Sequence, residues 1–511
     1  MVPTQPKEVL DILKTLSNKT SSGWDSIPQK LIKSSPFNII TVLAHIFNMS
    51  MKEGTFPDKM KISKVIPIFK KGSHLSVENY RPISLLPVFS KILERLIHNR
   101  LSLFLKECNV LYEKQFGFRS KHSTSDATSY LASELYQTLD DGNKAICVFM
   151  DLSKAFDTLN IDILLHKLKH YGVRGIENKW FTSYLCGRKQ YVEIEGHCST
   201  NICYIKHGVP QGSILGPLLF NIYINDFWNC LTFGNAVMFA DDTNVIFTAK
   251  DSYILELMAN EDMHSASEWL KENKLSLNVS KTNFMYFDLS KNKQLPSLSI
   301  DNTEIKNVET QKFLGVIFDA KLSWKPHINS VISKLNSCLG ATRRARPFLN
   351  EDSLINIYHS LMKSHIEYCC GTWASWKPRG NKALLQRLQA VCNKFFRLVY
   401  NLERTASVRD ILVNHNILSV YQTYDFHLAQ VMHKARDSNL PPPLQHLFNI
   451  GIYRPCLFSV KPPRIIQTEK SISQAAPKIW NALPVAVAQE IDFLNFKREV
   501  KKHIIAKKTY S

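Results

Sequence analysis

The chain has 511 residues, 44% of them hydrophobic and 11% aromatic, and its 64 Lys+Arg against 44 Asp+Glu give a net charge of +20. At about 100–200 residues per domain this length gives two to four domains with ample core material and excludes a small disulfide scaffold, and the hydrophobic and aromatic content means that disorder is not the default reading. Eleven scattered Cys with no signal peptide ahead of them point to reduced thiols in an intracellular compartment, and no segment has the about 18–20 apolar residues of a membrane-spanning helix.

Residues 1–60 read as helices broken at Gly23-Trp24-Asp25 and Phe56-Pro57. Val65-Ile66-Pro67-Ile68-Phe69 follows as a strand in a basic frame from Lys61 to Lys71, and Pro67, with no N–H to give a ladder, places it at a sheet edge. Residues 145–152 are a near-continuous apolar run, hence a buried strand with Asp151 at its C-terminal end. A helix from Ile161 to Tyr171 stops at Gly172. Gly208 to Pro217 is a loop feeding a helix whose apolar face carries Leu218, Leu219, Ile222 and Tyr223. A hairpin comes next, Ala236-Val-Met-Phe and Asn244-Val-Ile-Phe, with Asp241-Asp242 at its turn. A helix over 253–272 and a strand over 284–287 complete the unit. Strands and helices mix without a βαβ repeat, which predicts an α+β fold, an antiparallel sheet backed by helices.

Charge is unevenly placed. Residues 1–320 sum to +3 and residues 321–511 to +17, which suggests a chemical module followed by a region that grips a polyanion, the alternative being a soluble basic tail. Within Lys382 to Tyr400, Leu384, Leu385, Leu388, Val391, Phe395 and Leu398 form an apolar stripe at helical spacing, with Arg387, Lys394 and Arg397 off it. His197, Cys198, Cys203 and His207 have near-ligand spacing for zinc, but in a hairpin their side chains alternate between faces, which argues against a metal site. Cys456 stands alone and supports no zinc knuckle.

Asp is at home in hairpin turns, so Asp241-Asp242 alone is explained by turn chemistry. Asp151, ninety residues earlier at the end of a buried strand, changes this, because both acid sites can then meet at one sheet edge. Three gathered carboxylates repel one another and lose hydration, a penalty that divalent cations remove. Few carboxylates completed by water and substrate phosphates describe a Mg²⁺ site, and two ions about 3.5–4 Å apart suit in-line phosphoryl transfer. The chemistry expected is nucleotidyl transfer.

Phe149-Met150-Asp151-Leu152-Ser153-Lys154-Ala155-Phe156-Asp157, Gly208-Val209-Pro210-Gln211-Gly212-Ser213 and Phe239-Ala240-Asp241-Asp242 resemble the motif series of reverse transcriptases. The flanks Asn79-Tyr80-Arg81-Pro82-Ile83-Ser84, Gln115-Phe116-Gly117-Phe118-Arg119, Leu277-Asn278-Val279-Ser280-Lys281-Thr282 and Lys312-Phe313-Leu314-Gly315-Val316 are similar to LINE-type, non-LTR retrotransposon enzymes of the jockey kind. The likeness in order and spacing runs over about residues 19–400. The stretch from Ile479-Trp480-Asn481-Ala482-Leu483-Pro484 to Phe496-Lys497 resembles the C-terminal segment of many such elements.

The resemblance implies a right-hand polymerase: an N-terminal helical extension of the fingers (1–60), fingers and palm (61–319), a helical thumb (320–400) and a basic C-terminal region (401–511). The implied activity is RNA-directed DNA polymerisation, extending a DNA 3′ end on an RNA template with dNTPs in target-primed reverse transcription, with two Mg²⁺ ions, or Mn²⁺ in their place. Asp151 and Asp241 would hold the metals, with Asp242 as third acid and the Leu152 carbonyl as a further ligand. Phe156 matches the aromatic gate that excludes a 2′-hydroxyl, its other role being a core aromatic. Gln211 matches the residue contacting the nucleotide, and Gly212 lets backbone approach closely. Lys70 or Lys71 and Arg81 would neutralise the triphosphate. Lys281 matches a proton donor to pyrophosphate, its ordinary alternative being a surface lysine. Phe313, Leu314 and Gly315 look like the grip on the primer 3′ end, and Arg343, Arg344 and Arg346 would face a duplex minor groove.

Such elements usually carry an endonuclease ahead of the polymerase, and none fits before residue 19, so initiation at a nick would need a separately supplied endonuclease, a missing upstream segment or an existing nick. Partners implied are RNA template, DNA primer and dNTPs, with no membrane. The run from Lys497 to Lys508 reads as a nuclear signal, a basic helix end or a phosphate contact. The expected location is the nucleus during integration and the cytoplasm as a ribonucleoprotein. The rival function class is a truncated or domesticated copy that only binds nucleic acid.

Overall fold

The computed structural model describes residues 1–34, 37–290, 294–376, 381–449 and 457–507; Cys456 and Lys508 lie outside the described residues. Its strands are β1 (Ile62–Phe69), β2 (Tyr80–Leu85), β3 (Lys144–Met150), β4 (Lys189–Ile194), β5 (His197–Cys198), β6 (Cys203–Tyr204) and β7 (Asn235–Phe239). They continue with β8 (Asp242–Ala249), β9 (Asn283–Phe287), β10 (Ser299–Ile300), β11 (Thr303–Glu304), β12 (Lys306–Asn307), β13 (Thr310–Phe313) and β14 (Val316–Asp319). The chain forms two compact units, residues 1–118, 151–232 and 264–278 in one, and 119–150, 233–263 and 279–511 in the other.

In the first unit the helices Pro6–Thr15, Gln29–Lys33 and Phe37–Glu53 precede a sheet in the order β2-β1-β4-β5, with β6 also on β4. The edge position expected from Pro67 holds for only half of β1. Ile62 and Ser63 pair only with β4, in parallel, Lys64 and Val65 pair with β4 on one side and antiparallel with β2 on the other, and from Ile66 onward only β2 pairs with the strand. Pro67 faces Pro82, and the hydrogen bond Lys70 N–H to Asn79 C=O sets the alternation so that the Pro67–Pro82 pair is a non-hydrogen-bonded one. Neither ring nitrogen is asked for a proton there. Phe56 packs edge-on against Trp180 and Tyr184, at 5.4 and 5.0 Å between ring centroids, and Trp180 Nε1 donates to Ser50 Oγ.

The helix Ile161–His170 starts where Asn160 caps it by accepting the Ile163 N–H and ends before Gly172, whose φ of +100° suits the C-terminal turn. The helix Gly216–Ile224 begins over a buried carboxylate. Glu94 Oε2, from the helix Val88–Glu107, accepts the N–H groups of Ile214 and Leu215, two donors at a helix start with no partner inside the helix.

In the second unit a five-stranded sheet runs β12-β9-β3-β8-β7, antiparallel except for the β12–β9 pair. Every side chain of β3 from Ala145 to Met150 is buried, which is why that stretch reads as a continuous apolar run. The helix Thr124–Asp140 packs on this sheet. Residues 401–511 fold within the same unit and contribute the helices Val420–Arg436, Ile472–Asn481 and Phe493–Ala506. Trp480 and Phe496 are fully buried beside His433, and Arg436 Nη1 donates to the Ala488 and Glu490 carbonyls. Ser471 Oγ reaches Ser133 Oγ, Thr468 reaches the Tyr136 carbonyl, and Asp140 accepts the Arg464 and Ile465 N–H groups. The segment is thereby folded onto the second half of the helix Thr124–Asp140 and is not a free tail over the described residues that make these bonds.

The hairpin expected around His197 to His207 is arranged differently. β5 turns back on β4 through Glu195-Gly196, with φ of +50° and +84°, while β6 pairs with β4 further along. Cys198 therefore stands opposite Glu193 and Cys203 opposite Gln190, two separate places on one strand.

Candidate active site

β7 and β8 are joined by two residues, since Phe239 pairs with Asp242. Ala240 takes φ +57° at the first turn position, where glycine is usual, and is buried, so the turn stores strain at the acid-bearing end of the hairpin. Asp241 is half-buried in that turn, and Asp242 is exposed as the first residue of β8. β3 runs antiparallel to β8 with Met150 opposite Thr243, and Asp151 is the residue after Met150. The strand ends that lead to Asp151 and to Asp241-Asp242 thus share one end of the sheet. Among the described residues no three or more His, Cys, Asp or Glu side chains are grouped so as to hold a metal ion.

Asp151 and the residues after it belong to the first unit. Leu152 forms an antiparallel bridge with Leu277, flanked by Asn278 N–H to Asp151 C=O and Ser153 N–H to Ser276 C=O, each 2.8 Å. That pattern makes Leu152–Leu277 a non-hydrogen-bonded pair, so the Leu152 carbonyl turns away from the Leu277 segment while the Asp151 carbonyl is engaged. Phe156 is half-buried between Phe220, stacked at 4.6 Å, and Phe118, edge-on at 6.1 Å.

The loop from Gly208 is knitted to this segment by Gly208 N–H to Leu159 C=O and Val209 N–H to Phe156 C=O. Gln211 Nε2 donates to both carboxylate oxygens of Asp157 at 2.9 Å. Burial pushes the Asp157 carboxyl up, against the Gln211 amide and the Lys154 charge, which pull it down. The close approach made by Gly212 is to β2. Its φ is +129°, a Cβ there would lie 2.5 Å from the Ser84 carbonyl oxygen, and Ser84 N–H donates to the Gln211 carbonyl at 2.7 Å. Gly212→Ala is expected to lower stability by about 3 kcal/mol through strain and backbone collision. Gly340→Ala, in open space on the helix Lys325–Ala345, should instead stabilise by about 0.5–1 kcal/mol. Urea midpoints of the two variants check both signs.

On the β1–β2 hairpin Ile68 pairs with Arg81, and Lys70 continues the ladder opposite Asn79. Lys70 and Arg81 therefore share a face by the two-residue period, whereas Lys71 lies beyond the ladder in the tip; all three are exposed. Lys281 is exposed in the turn before β9, in the second unit.

Also in the second unit, Leu314-Gly315 form the turn between β13 and β14, with φ of +45° and +84°. Phe313 is buried and tilted against Phe318, so its ring is core and only the turn after it is presented. A residue that no sequence pattern singled out holds that turn. Tyr368 Oη donates to the Leu314 carbonyl at 2.7 Å, and its ring lies 3.1 Å from where a Cβ on Gly315 would be.

Further on, the buried Asp319 carboxylate accepts the Ser323 and Trp324 N–H groups, and Trp324 Nε1 donates to Tyr136 Oη at 2.8 Å, which starts the helix Lys325–Ala345. Burial lowers the His327 pKa to about 4, so its neutral Nδ1 accepts the Ile317 N–H. Of the three arginines, Arg343 and Arg344 are exposed at the end of that helix. Arg346 is not their equal. It lies past the helix end, half-buried, and its Nε donates to the Leu398 carbonyl at 2.6 Å, capping the C-terminal end of the helix Lys382–Val399. Arg397 is similarly committed, to the Ala406 carbonyl.

The acid-bearing hairpin on an antiparallel sheet lies in one unit and the Gly-Val-Pro-Gln-Gly loop locked to the Asp-Leu-Ser-Lys-Ala-Phe-Asp segment in the other, and these are the segments that carry the polymerase motif series in the sequence. Residues 68–318 match the family described as "Reverse transcriptase (RNA-dependent DNA polymerase)", a span that holds every candidate residue except Arg343, Arg344 and Arg346. That part of the chain is a reverse-transcriptase domain, and through it the chain is related to non-LTR retrotransposon polymerases of the jockey kind. It is 28% identical over 417 residues to the probable RNA-directed DNA polymerase from transposon X-element of Drosophila melanogaster, covering 79% of this chain and 44% of that protein. The one from transposon BS of Drosophila melanogaster is 30% identical over 374 residues, 70% of this chain and 40% of that protein. The polymerase from mobile element jockey of Drosophila funebris is 30% identical over 386 residues, 72% of this chain and 41% of that protein. The matched region spans less than half the length of each of these relatives.

Proposed function

We propose that the chain is an RNA-directed DNA polymerase that extends a DNA 3′ end on an RNA template with dNTPs, as the polymerase of target-primed reverse transcription. The observation that carries this is the family match over residues 68–318 together with the acids at one end of β3 and β8. In this reading residues 61–319 are fingers and palm, 320–400 the thumb and 401–511 a basic C-terminal region, and Asp151, Asp241 and Asp242 are the catalytic carboxylates.

The donor set is all hard oxygen, three carboxylates and the outward-turned Leu152 carbonyl, which suits Mg²⁺ or Mn²⁺. When bound, two such ions supply Lewis acidity for the attacking 3′-hydroxyl and the leaving pyrophosphate. The protein's own part is positioning. Lys70 and Arg81, on one face of the β1–β2 hairpin, bind the triphosphate. Phe156, wedged by Phe118 and Phe220, excludes a 2′-hydroxyl, and Gln211, oriented by Asp157, flanks the nucleotide. Lys281 protonates the departing pyrophosphate, and the Leu314-Gly315 turn seats the primer end. Arg343 and Arg344 face the duplex.

Primer extension on an annealed RNA template with dNTPs and Mg²⁺ tests the proposal. Extension that EDTA abolishes is expected; its absence from a chain that still binds RNA would favour a copy that only binds nucleic acid. Tyr368→Phe removes one hydrogen bond to the primer-seating turn and is expected to raise the KM for primer–template about fivefold, about 1 kcal/mol. An equal KM would detach Tyr368 from primer positioning.

A further inference from the structure

A cavity of about 330 Å³ lies among the helices Lys382–Val399, Arg409–Asn414, Val420–Arg436 and the end of Phe493–Ala506, all in the unit that holds the basic part of the chain. Its cations are Arg397, Arg409 and Lys507, and no carboxylate lines it. An uncompensated set of three positive side chains around a concavity raises the local concentration of anions far more than the same charges spread on a convex face. Among the other polar lining residues, Asn393 is fixed so as to donate. Gln389 Nε2 gives its proton to Asn393 Oδ1 at 2.8 Å while Gln389 Oε1 accepts the Val420 N–H, which leaves the Asn393 amide presenting N–H rather than oxygen. Arg397 spends its Nε on the Ala406 carbonyl, which orients the guanidinium and uses one of its five N–H groups. Tyr421 adds a half-buried aromatic ring, set edge-to-face against Trp376 at 5.6 Å.

We infer that this cavity binds one nucleotide of a single-stranded polynucleotide, with its phosphate on Arg397, Arg409 and Lys507 and its base against Tyr421 and the Asn393 amide. The volume stands at the small end of ligand pockets and admits a nucleotide unit but no duplex. Donors, cations and one aromatic ring in a concavity are the chemistry by which unpaired bases and their phosphates are held. The site is distinct from the candidate polymerase residues and needs neither divalent ions nor catalysis.

The test measures binding of a single-stranded uridine octaribonucleotide to the full chain in EDTA across a salt series. Arg409 and Lys507 are both exposed, so the double variant R409Q/K507Q should keep the thermal midpoint of the parent. Its affinity should fall about tenfold and its log–log salt slope should become shallower by about 0.7, the one phosphate that the cavity neutralises. The control R387Q/K394Q removes the same charge from exposed positions of the helix Lys382–Val399 outside the cavity, and should change affinity and slope less. Equal losses in the two double variants, or an equal loss for an RNA duplex of the same length, would overturn the inference, because both describe diffuse basic surface. A 4-thiouridine octamer should photo-cross-link within the peptide carrying Tyr421. Adducts confined to other segments would also overturn it.

Discussion

Primer extension by Asp241→Ala is expected to fall about 10³-fold or more while RNA affinity in EDTA stays within about twofold of the parent. The size follows from the role. A carboxylate that holds the ions compensating charge on the attacking and leaving oxygens contributes several kcal/mol to transition-state stabilisation, and about 4 kcal/mol is a thousandfold in rate. The fold should survive, because Asp241 sits in the turn between β7 and β8, and the pairs from Phe239–Asp242 to Asn235–Ile246 are untouched. Single-turnover extension with saturating dNTP separates the loss of chemistry from a loss of nucleotide binding. Extension within tenfold of the parent would remove Asp241 from the mechanism.

The second large effect is expected at Phe156. Phe156→Ala removes a ring held by Phe220 on one side and Phe118 on the other, so both the wedge against a 2′-hydroxyl and part of the packing go. Preference for dNTP over rNTP, measured as a ratio of kcat/KM values, should drop about 10²-fold, in line with what steric and apolar sites achieve against one added hydroxyl. Stability should drop by about 2–3 kcal/mol, less than for a fully buried phenylalanine because the residue is half exposed. The conservative Phe156→Tyr keeps the ring and should keep the sugar preference. Lost stability with unchanged sugar preference would make Phe156 a core aromatic only.

Much of the local structure was legible because it is written in periods of 2 and 3.6 residues. The apolar run before Asp151 is β3, the alternation flanking Asp241-Asp242 is the β7–β8 hairpin, and the helix from Ile161 ends at the glycine that suits its last turn. Of the stripe in the helix Lys382–Val399, Leu385, Leu388, Val391 and Phe395 are buried, joined by Cys392, Phe396 and Val399, while Leu384 and Leu398 sit at its margin. The motif residues were legible for a different reason, since short runs such as Phe239-Ala240-Asp241-Asp242 carry their chemistry in adjacent positions.

Other features depend on partners far along the chain. The parallel pairing of β1 with β4 joins segments more than a hundred residues apart and makes Pro67 an edge residue for only half a strand. Glu94, an unremarked helix residue by sequence, caps the start of the helix after the Gly-Val-Pro-Gln-Gly loop. Tyr368 reaches back to the Leu314 turn, Arg346, grouped by sequence with Arg343 and Arg344, is committed to the Leu398 carbonyl, and Arg397 is oriented by giving its Nε proton to the Ala406 carbonyl.

The sequence by itself determined which residues can do chemistry and which elements carry them, because propensity, turn preference and amphipathic spacing act between neighbours. The tertiary structure decided which charges are left for a ligand and which are used internally, and which glycines face backbone rather than solvent. Those outcomes depend on what packing brings within about 3 Å, where an unpaired buried donor or acceptor costs about 1–3 kcal/mol and must find its partner wherever the fold supplies one.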